Sequence, residues 1–156
     1  MKSTVYLETT IPSFYYETRT DAEFIAMRNW TRKWWKERKD DFDCFISVAV
    51  SDELEKGDYP KKEEKIHLIT GMEYLEINDA IEEIAEVYIA NYLMPKDVVG
   101  DALHLATASY HKIDYLLTWN CSHLANANKK KHIRRINGRL RLSTPEIITP
   151  LEIMEE

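Results

Sequence analysis

Three carboxylates and one amide, drawn from four well-separated segments, carry the chemistry this sequence offers. Glu8 stands in segment 5–16 (VYLETTIPSFYY) and Glu53 in 45–58 (FISVAVSDELEKGD). Asp101 stands in 100–108 (GDALHLATA) and Asn120 in 115–127 (YLLTWNCSHLANA). Oxygen ligands gathered without neighbouring thiolates suit a hard cation, Mg2+ or Mn2+, better than zinc. A cation so held would lower the pKa of a bound water and neutralise charge growing on a scissile phosphate. The expected chemistry is therefore metal-dependent phosphodiester cleavage. Glu8, Glu53 and Asp101 are the expected metal ligands and catalytic residues, with Asn120 a weaker or water-mediated fourth ligand. A carboxylate not fully engaged with the metal, with Glu53 the candidate, would accept the water's proton. Thr9 and Thr118 either position that water or satisfy the backbone.

These residues need elements that bring them together. Segment 4–7 is a short apolar strand, and Thr20 with Glu23 has the pattern of a capping box opening a helix that reaches about residue 39. Phe24, Met27, Trp30 and Trp34 recur at helical spacing and predict one apolar face. A second strand at 43–47 leads into a helix through Glu55, which Gly57, Asp58 and Pro60 end before a polar helix begins at Lys61. A third strand is expected at 74–77. Asn78 then caps a helix with Ile81, Ile84, Ala85, Tyr88 and Tyr92 on one side. Pro95 breaks it, and Asp97 caps the next helix, which runs to about His111.

A continuous apolar strand at 114–118, a helix at 126–137 and a last strand at 142–144, stopped by Pro145, complete the pattern. Alternating strands and helices predict a three-layer α/β/α sandwich around a parallel sheet, as one domain over 1–156. In such a sheet ligands sit beyond the carboxyl ends of the strands, where all four residues fall.

Bulk composition is compatible with this. The 156 residues suit one domain, and 44% hydrophobic with 31% charged residues is ordinary for a globular chain. Cys44 and Cys121 have neither a disulfide-framework number nor a metal-ligand spacing, so reduced thiols are expected. No apolar run is long enough to span a bilayer, and Met1-Lys2-Ser3 leads straight into a strand, so a cytoplasmic protein is expected.

The net charge of −6 hides a strong local asymmetry. Segment 121–144 has no acid but contains Lys129, Lys130, Lys131, Arg134, Arg135, Arg139 and Arg141. A second basic set, Arg28, Arg32, Lys33, Lys36, Arg38 and Lys39, lies in the first long helix. Such a stripe alone is most simply a solvated helix face. Beside an acidic metal site it predicts contact with RNA phosphates, chiefly by Lys129, Lys130, Lys131, Arg134 and Arg135. Asn126 is expected as a helix cap, the tryptophans as core and interface, and His104 as structural, since it lies on a largely apolar helix without a partner histidine.

Taken in order, the motifs resemble PIN domains, most closely the VapC-like toxins of bacterial and archaeal toxin–antitoxin pairs, over almost the whole chain. A strand ending in an acid followed by hydroxyl residues is matched by Tyr6-Leu7-Glu8-Thr9-Thr10, and a Ser followed by a helical Glu by Ser47 and Glu53. An acid followed by Ala is matched by Asp101-Ala102-Leu103-His104, and an apolar strand ending Leu-Leu-Thr by Leu116-Leu117-Thr118. The family's first acid is usually Asp, where this chain has Glu8, and its fourth acid is replaced here by Asn120.

The resemblance implies a five-stranded parallel sheet of order 3-2-1-4-5 and single-stranded RNA cleavage leaving 5′-phosphate and 3′-hydroxyl ends. It also implies a protein antitoxin and a homodimer, for which Trp34, Trp35 and segment 88–93 offer apolar surface. The alternatives are a PIN-like module that binds RNA without cutting it and a module for protein interaction. An α/β phosphatase would need an early Asp-x-Asp motif, which this chain lacks.

Overall fold

Short runs of β-branched, aliphatic and aromatic residues form a sheet whose interior strands are covered on both sides. β1 (Thr4–Leu7) buries Val5, Tyr6 and Leu7 completely, which suits a central parallel strand. In the computed structural model, which describes residues 1–91, 93 and 99–155, β2 (Asp43–Ile46) and β4 (Tyr115–Leu117) flank β1. β3 (Glu73–Tyr74) and β5 (Glu146–Ile148) form the two edges. The described strands make one all-parallel sheet of order 3-2-1-4-5, as the sequence led us to expect. The registers Val5↔Cys44 and Val5↔Tyr115 align the carboxyl ends of β1, β2 and β4.

The connections are helical. α1 (Thr10–Tyr15) and α2 (Ala22–Glu37) join β1 to β2, and α3 (Val48–Glu55) and α4 (Lys62–Leu68) join β2 to β3. α5 (Asp79–Ala90) and α6 (Val99–Tyr110) lead to β4, α7 (Ala127–Leu140) to β5, and α8 (Pro150–Ile153) follows. α2 packs on α1 and α8, while α5 packs on α6, giving layers on both faces of the sheet. Asn137 of α7 ties the second layer together. Its Oδ1 accepts from the Tyr88 hydroxyl of α5 at 2.6 Å, and its Nδ2 donates to Ser109 of α6 and to Thr144 at 3.1 Å each.

Several local expectations hold. Asn78 caps α5 by accepting the Ile81 N–H, and Asn126 caps α7 by accepting from Asn128 and Lys129. Others need correction. α2 begins after Asp21 without a side-chain cap, so Thr20 and Glu23 form no capping box. The capping box lies instead at Thr149 and Glu152, with Pro150 in the first turn of α8.

The last strand follows Pro145 rather than preceding it. Ile147 and Ile148 are the apolar pair that packs, and Pro145 needs no N–H just outside an edge strand. The predicted caps and breaks at Pro95 and Asp97, and the face position of Tyr92, lie outside the described residues. Trp34, Tyr88 and Leu93 are buried in the protein's own core, so they do not provide the dimer surface expected of them. Trp35 is only partly buried and stacks edge-on against Trp34 and Tyr15.

Candidate functional site

Glu8 is the first residue beyond β1, and its N–H donates to Leu117 at the end of β4. This places its carboxylate at the carboxyl edge of the two central strands, where it is 3% exposed. Oε1 accepts from the Thr10 N–H at 3.2 Å, the Thr10 hydroxyl at 2.5 Å and the Thr118 hydroxyl at 2.7 Å. The two threonine oxygens in turn accept the N–H groups of Trp119 and Asn120. Glu8 and two hydroxyls thus brace the loop after β1 to the loop after β4. The Trp119 indole completes the brace by donating to Thr31 of α2. Burial raises the pKa of Glu8, while His104 and the threonine donors pull the other way.

Glu53 reaches the same edge from α3. That helix starts directly after β2 because the Ser47 hydroxyl caps it, accepting the Ala49 N–H at 3.2 Å. Two turns later Glu53 Oε1 accepts the Thr9 hydroxyl at 3.0 Å and pairs closely with Nε2 of His104. Burial opposes a charge on Glu53, but the His104 hydrogen bond and its charge prevail and hold the pKa below the ordinary range.

The opposite balance holds on the ring. Burial works against charging His104, but Glu53, Glu8 and Asp101 together raise its pKa. His104 is fully buried and contacts the Tyr6 hydroxyl through Nδ1 at 2.6 Å, and Tyr6 contacts Ser47 at 2.7 Å.

Asp101 lies in the first turn of α6, one turn before His104, and is 5% exposed. Its Oδ2 contacts His123 Nδ1 at 2.8 Å, and its Oδ1 accepts from the Asn120 amide at 3.1 Å. The Asn120 carbonyl oxygen accepts the His123 N–H at 3.1 Å. In this arrangement Asn120 turns its nitrogen toward the acid cluster and its oxygen toward its own loop.

Glu8, Glu53, Asp101, Thr9, Thr118 and Asn120 are thus brought to one edge of the sheet, each acid already meeting protein donors. Among the described residues, no three His, Cys, Asp or Glu side chains stand together as a ready metal-ligand group. The donor chemistry nevertheless suits a hard cation. The hydrogen bonds to Glu8 and Glu53 all fall on Oε1, so Oε2 of each takes part in none of them. Gly100 also leaves room for Glu53, since a Cβ there would come within 3.1 Å of its carboxyl group.

Sequence reasoning missed the histidines and the tyrosine. The pairing of His104 with Glu53 had one signal in the sequence, its spacing of three from Asp101 on one helix face. Tyr6 shares a face of β1 with Glu8 by the two-residue period of a strand. His123 had only its place in the loop that carries Asn120.

The basic residues lie on α7, which begins after the loop that carries Asn120 and His123. Lys131, Arg134, Arg135 and Arg139 are exposed, and none of them enters an ion pair among the described residues. Lys130 is half-buried, and Lys129 donates to the Leu93 carbonyl at 2.5 Å, which ties it to the end of the α5 connection. In the second basic set, Arg32 donates to the Tyr15 carbonyl, and Arg38 bonds Asp41 and the Met154 carbonyl. That set is partly committed to holding α2 in place.

No family model matches the chain, and no curated protein is significantly similar to it. Among the described residues, no helix is long and apolar enough to cross a membrane.

Proposed function

We propose that this chain is a PIN-like endoribonuclease that uses Mg2+ or Mn2+ to cleave single-stranded RNA, acting in the cytoplasm as the toxin of a toxin–antitoxin pair. The observation that carries this reading is that hydrogen bonds bring Glu8, Glu53 and Asp101 to the carboxyl edge of the central strands, with Glu53 paired to His104. Glu8, Glu53 and Asp101 would hold the cation, which supplies Lewis acidity toward the scissile phosphate and toward water. The Thr118 and Thr10 hydroxyls orient Glu8, the Thr9 hydroxyl orients Glu53, and His123 with Asn120 orients Asp101. Lys131, Arg134 and Arg135 of α7 would track the RNA backbone, with Lys130 at the edge of the stripe and Lys129 anchoring the helix. A homodimer and a protein antitoxin belong to the same reading.

A direct test is cleavage of single-stranded RNA with Mn2+ or Mg2+ and with EDTA. Cleavage that leaves 5′-phosphate ends and stops with EDTA is expected, and cutting that EDTA does not affect would remove the metal from the mechanism. Asn120→Asp probes the same site without an activity assay. It replaces the amide that donates to Asp101 with a second carboxylate, so the metal-free protein should melt several degrees lower. Mn2+ should restore the melting temperature, because a cation relieves the repulsion. A melting temperature that ignores Mn2+ would place the cation elsewhere.

One observation favours a second reading, an RNA-binding module that cuts weakly or not at all: each acid is already paired with protein donors. Under that reading RNA binds equally well with and without divalent ions, and no cleavage follows.

Both readings use α7. Phosphate contacts make binding salt-dependent, with a slope of log affinity against log salt of roughly −0.7 per phosphate neutralised on a single strand. Reversing Lys131, Arg134 and Arg135 to Glu should flatten that slope by about two units. An unchanged slope in a filter-binding titration would mean that the face of α7 is only solvated.

A further inference from the structure

We propose that His104 is a positioning residue that fixes Glu53, and that it is itself oriented by a buried chain of hydroxyl groups beginning at the amino end of α3. The inference deepens the nuclease reading and rests on Glu53 as a cation ligand. The chain runs through Ser47, Tyr6 and His104 to Glu53, crossing from α3 to β1, then to α6 and back to α3.

Its polarity follows from the donors. Ser47 Oγ accepts the Ala49 N–H, so the serine proton is available to Tyr6. The Tyr6 hydroxyl meets Nδ1 of His104 at 2.6 Å and Ser47 Oγ at 2.7 Å, so it links the two. An imidazole nitrogen without a proton would turn a lone pair on the Glu53 carboxylate, so Nε2 carries the hydrogen whichever charge the ring bears. Thr9 donates to the same Oε1, and the Glu53 carboxyl lies against the bare Cα of Gly100. A half-buried glutamate on a surface helix would otherwise sample several rotamers. Here one oxygen is fixed between two donors, and the other has no hydrogen-bond partner among the described residues.

The cost of such a chain argues for a task. Tyr6, Ser47 and His104 are each essentially inaccessible to solvent. Well-packed apolar side chains in their places would avoid the desolvation of three polar groups. What apolar packing could not do is hold a carboxylate in one orientation at the edge of the sheet.

The experiment compares wild type with Tyr6→Phe and Glu53→Gln by two readouts. The first is the proton and nitrogen NMR spectrum of the metal-free protein, in which the His104 Nε2–H should appear far downfield and exchange slowly. Tyr6→Phe, which leaves Glu53 untouched, should shift this resonance or speed its exchange. The second is Mn2+ affinity, measured from the free-ion signal in electron paramagnetic resonance. Tyr6→Phe should weaken it about tenfold to a hundredfold, the range typical of partners that orient a metal ligand. Restoring a ring hydroxyl is not needed as a control, because Glu53→Gln sets the scale for losing the ligand itself.

If Glu53→Gln loses Mn2+ while Tyr6→Phe binds it like wild type, the positioning role is wrong and the metal site stands. If wild type and Glu53→Gln bind Mn2+ alike, the ligand role of Glu53 falls, and the inference falls with it. A Tyr6→Phe spectrum in which the His104 resonance is unmoved overturns the hydroxyl chain in either case.

Discussion

Replacing Asp101 with asparagine is expected to lower RNA cleavage about a thousandfold, equivalent to about 4 kcal/mol of the transition-state stabilisation that a metal ion provides. The carboxylate sits between two donors, the Asn120 amide and His123 Nδ1. An asparagine there offers one acceptor oxygen and one amide, so it keeps both contacts only if His123 Nδ1 changes tautomer and accepts. A modest fall in melting temperature should therefore accompany the loss of cleavage. Single-turnover cleavage of labelled RNA at saturating Mn2+ separates the two effects, since a folded variant retains the wild-type circular dichroism. Wild-type cleavage by Asp101→Asn would remove this residue from the chemistry.

The largest effect on stability is expected far from that edge, at Asn137. This buried amide accepts from the Tyr88 hydroxyl and donates to Ser109 and Thr144, joining α5, α6 and the segment before β5. Burial pushes the Tyr88 hydroxyl up to about 12, so it remains a donor in need of an acceptor. Asn137→Leu keeps the branched shape with some added bulk but leaves these groups unmatched, at a cost of about 3 kcal/mol or more. For a chain of this length that lowers the melting temperature by about 10 °C. Adding Tyr88→Phe removes the orphaned hydroxyl and should return part of the loss in a double-mutant cycle. If the pair shows simple additivity, the two side chains do not depend on each other.

The parts of the fold that proved readable are those with a local cause. β1 announces itself through Val5, Tyr6 and Leu7, and α5 and α7 through the caps Asn78 and Asn126. The last strand was misplaced because Pro145 reads as a stop signal, whereas beside an edge strand its missing N–H costs nothing. α8 went unseen although Thr149-Pro150-Leu151-Glu152 spells its start.

At the site, Glu8 could be placed at the sheet's edge because it directly follows the apolar run Val5-Tyr6-Leu7. His104 could not, because histidine on an apolar helix is usually satisfied within the core. Its significance depends on Tyr6 and Ser47, and those meet it only once β1 lies beside β2. The role of Asn120 was equally hidden. Composition gives its two polar atoms, but only the folded loop decides which one turns toward Asp101.

The brace at Glu8 has a consequence for the order of events during synthesis. The bond from the Thr118 hydroxyl to Glu8 joins residues 110 positions apart. Glu8, Thr9, Thr10 and Glu53 leave the ribosome early, but neither Asp101 nor Thr118 exists until most of the chain has been made. Long-range parallel pairing is slow to form, and domains tend to organise from the amino end as they emerge. A partly translated chain therefore has Glu8 with Thr10 but without Thr118, and no assembled edge at which RNA could be cut. For a protein proposed to cut single-stranded RNA, that delay separates manufacture from action.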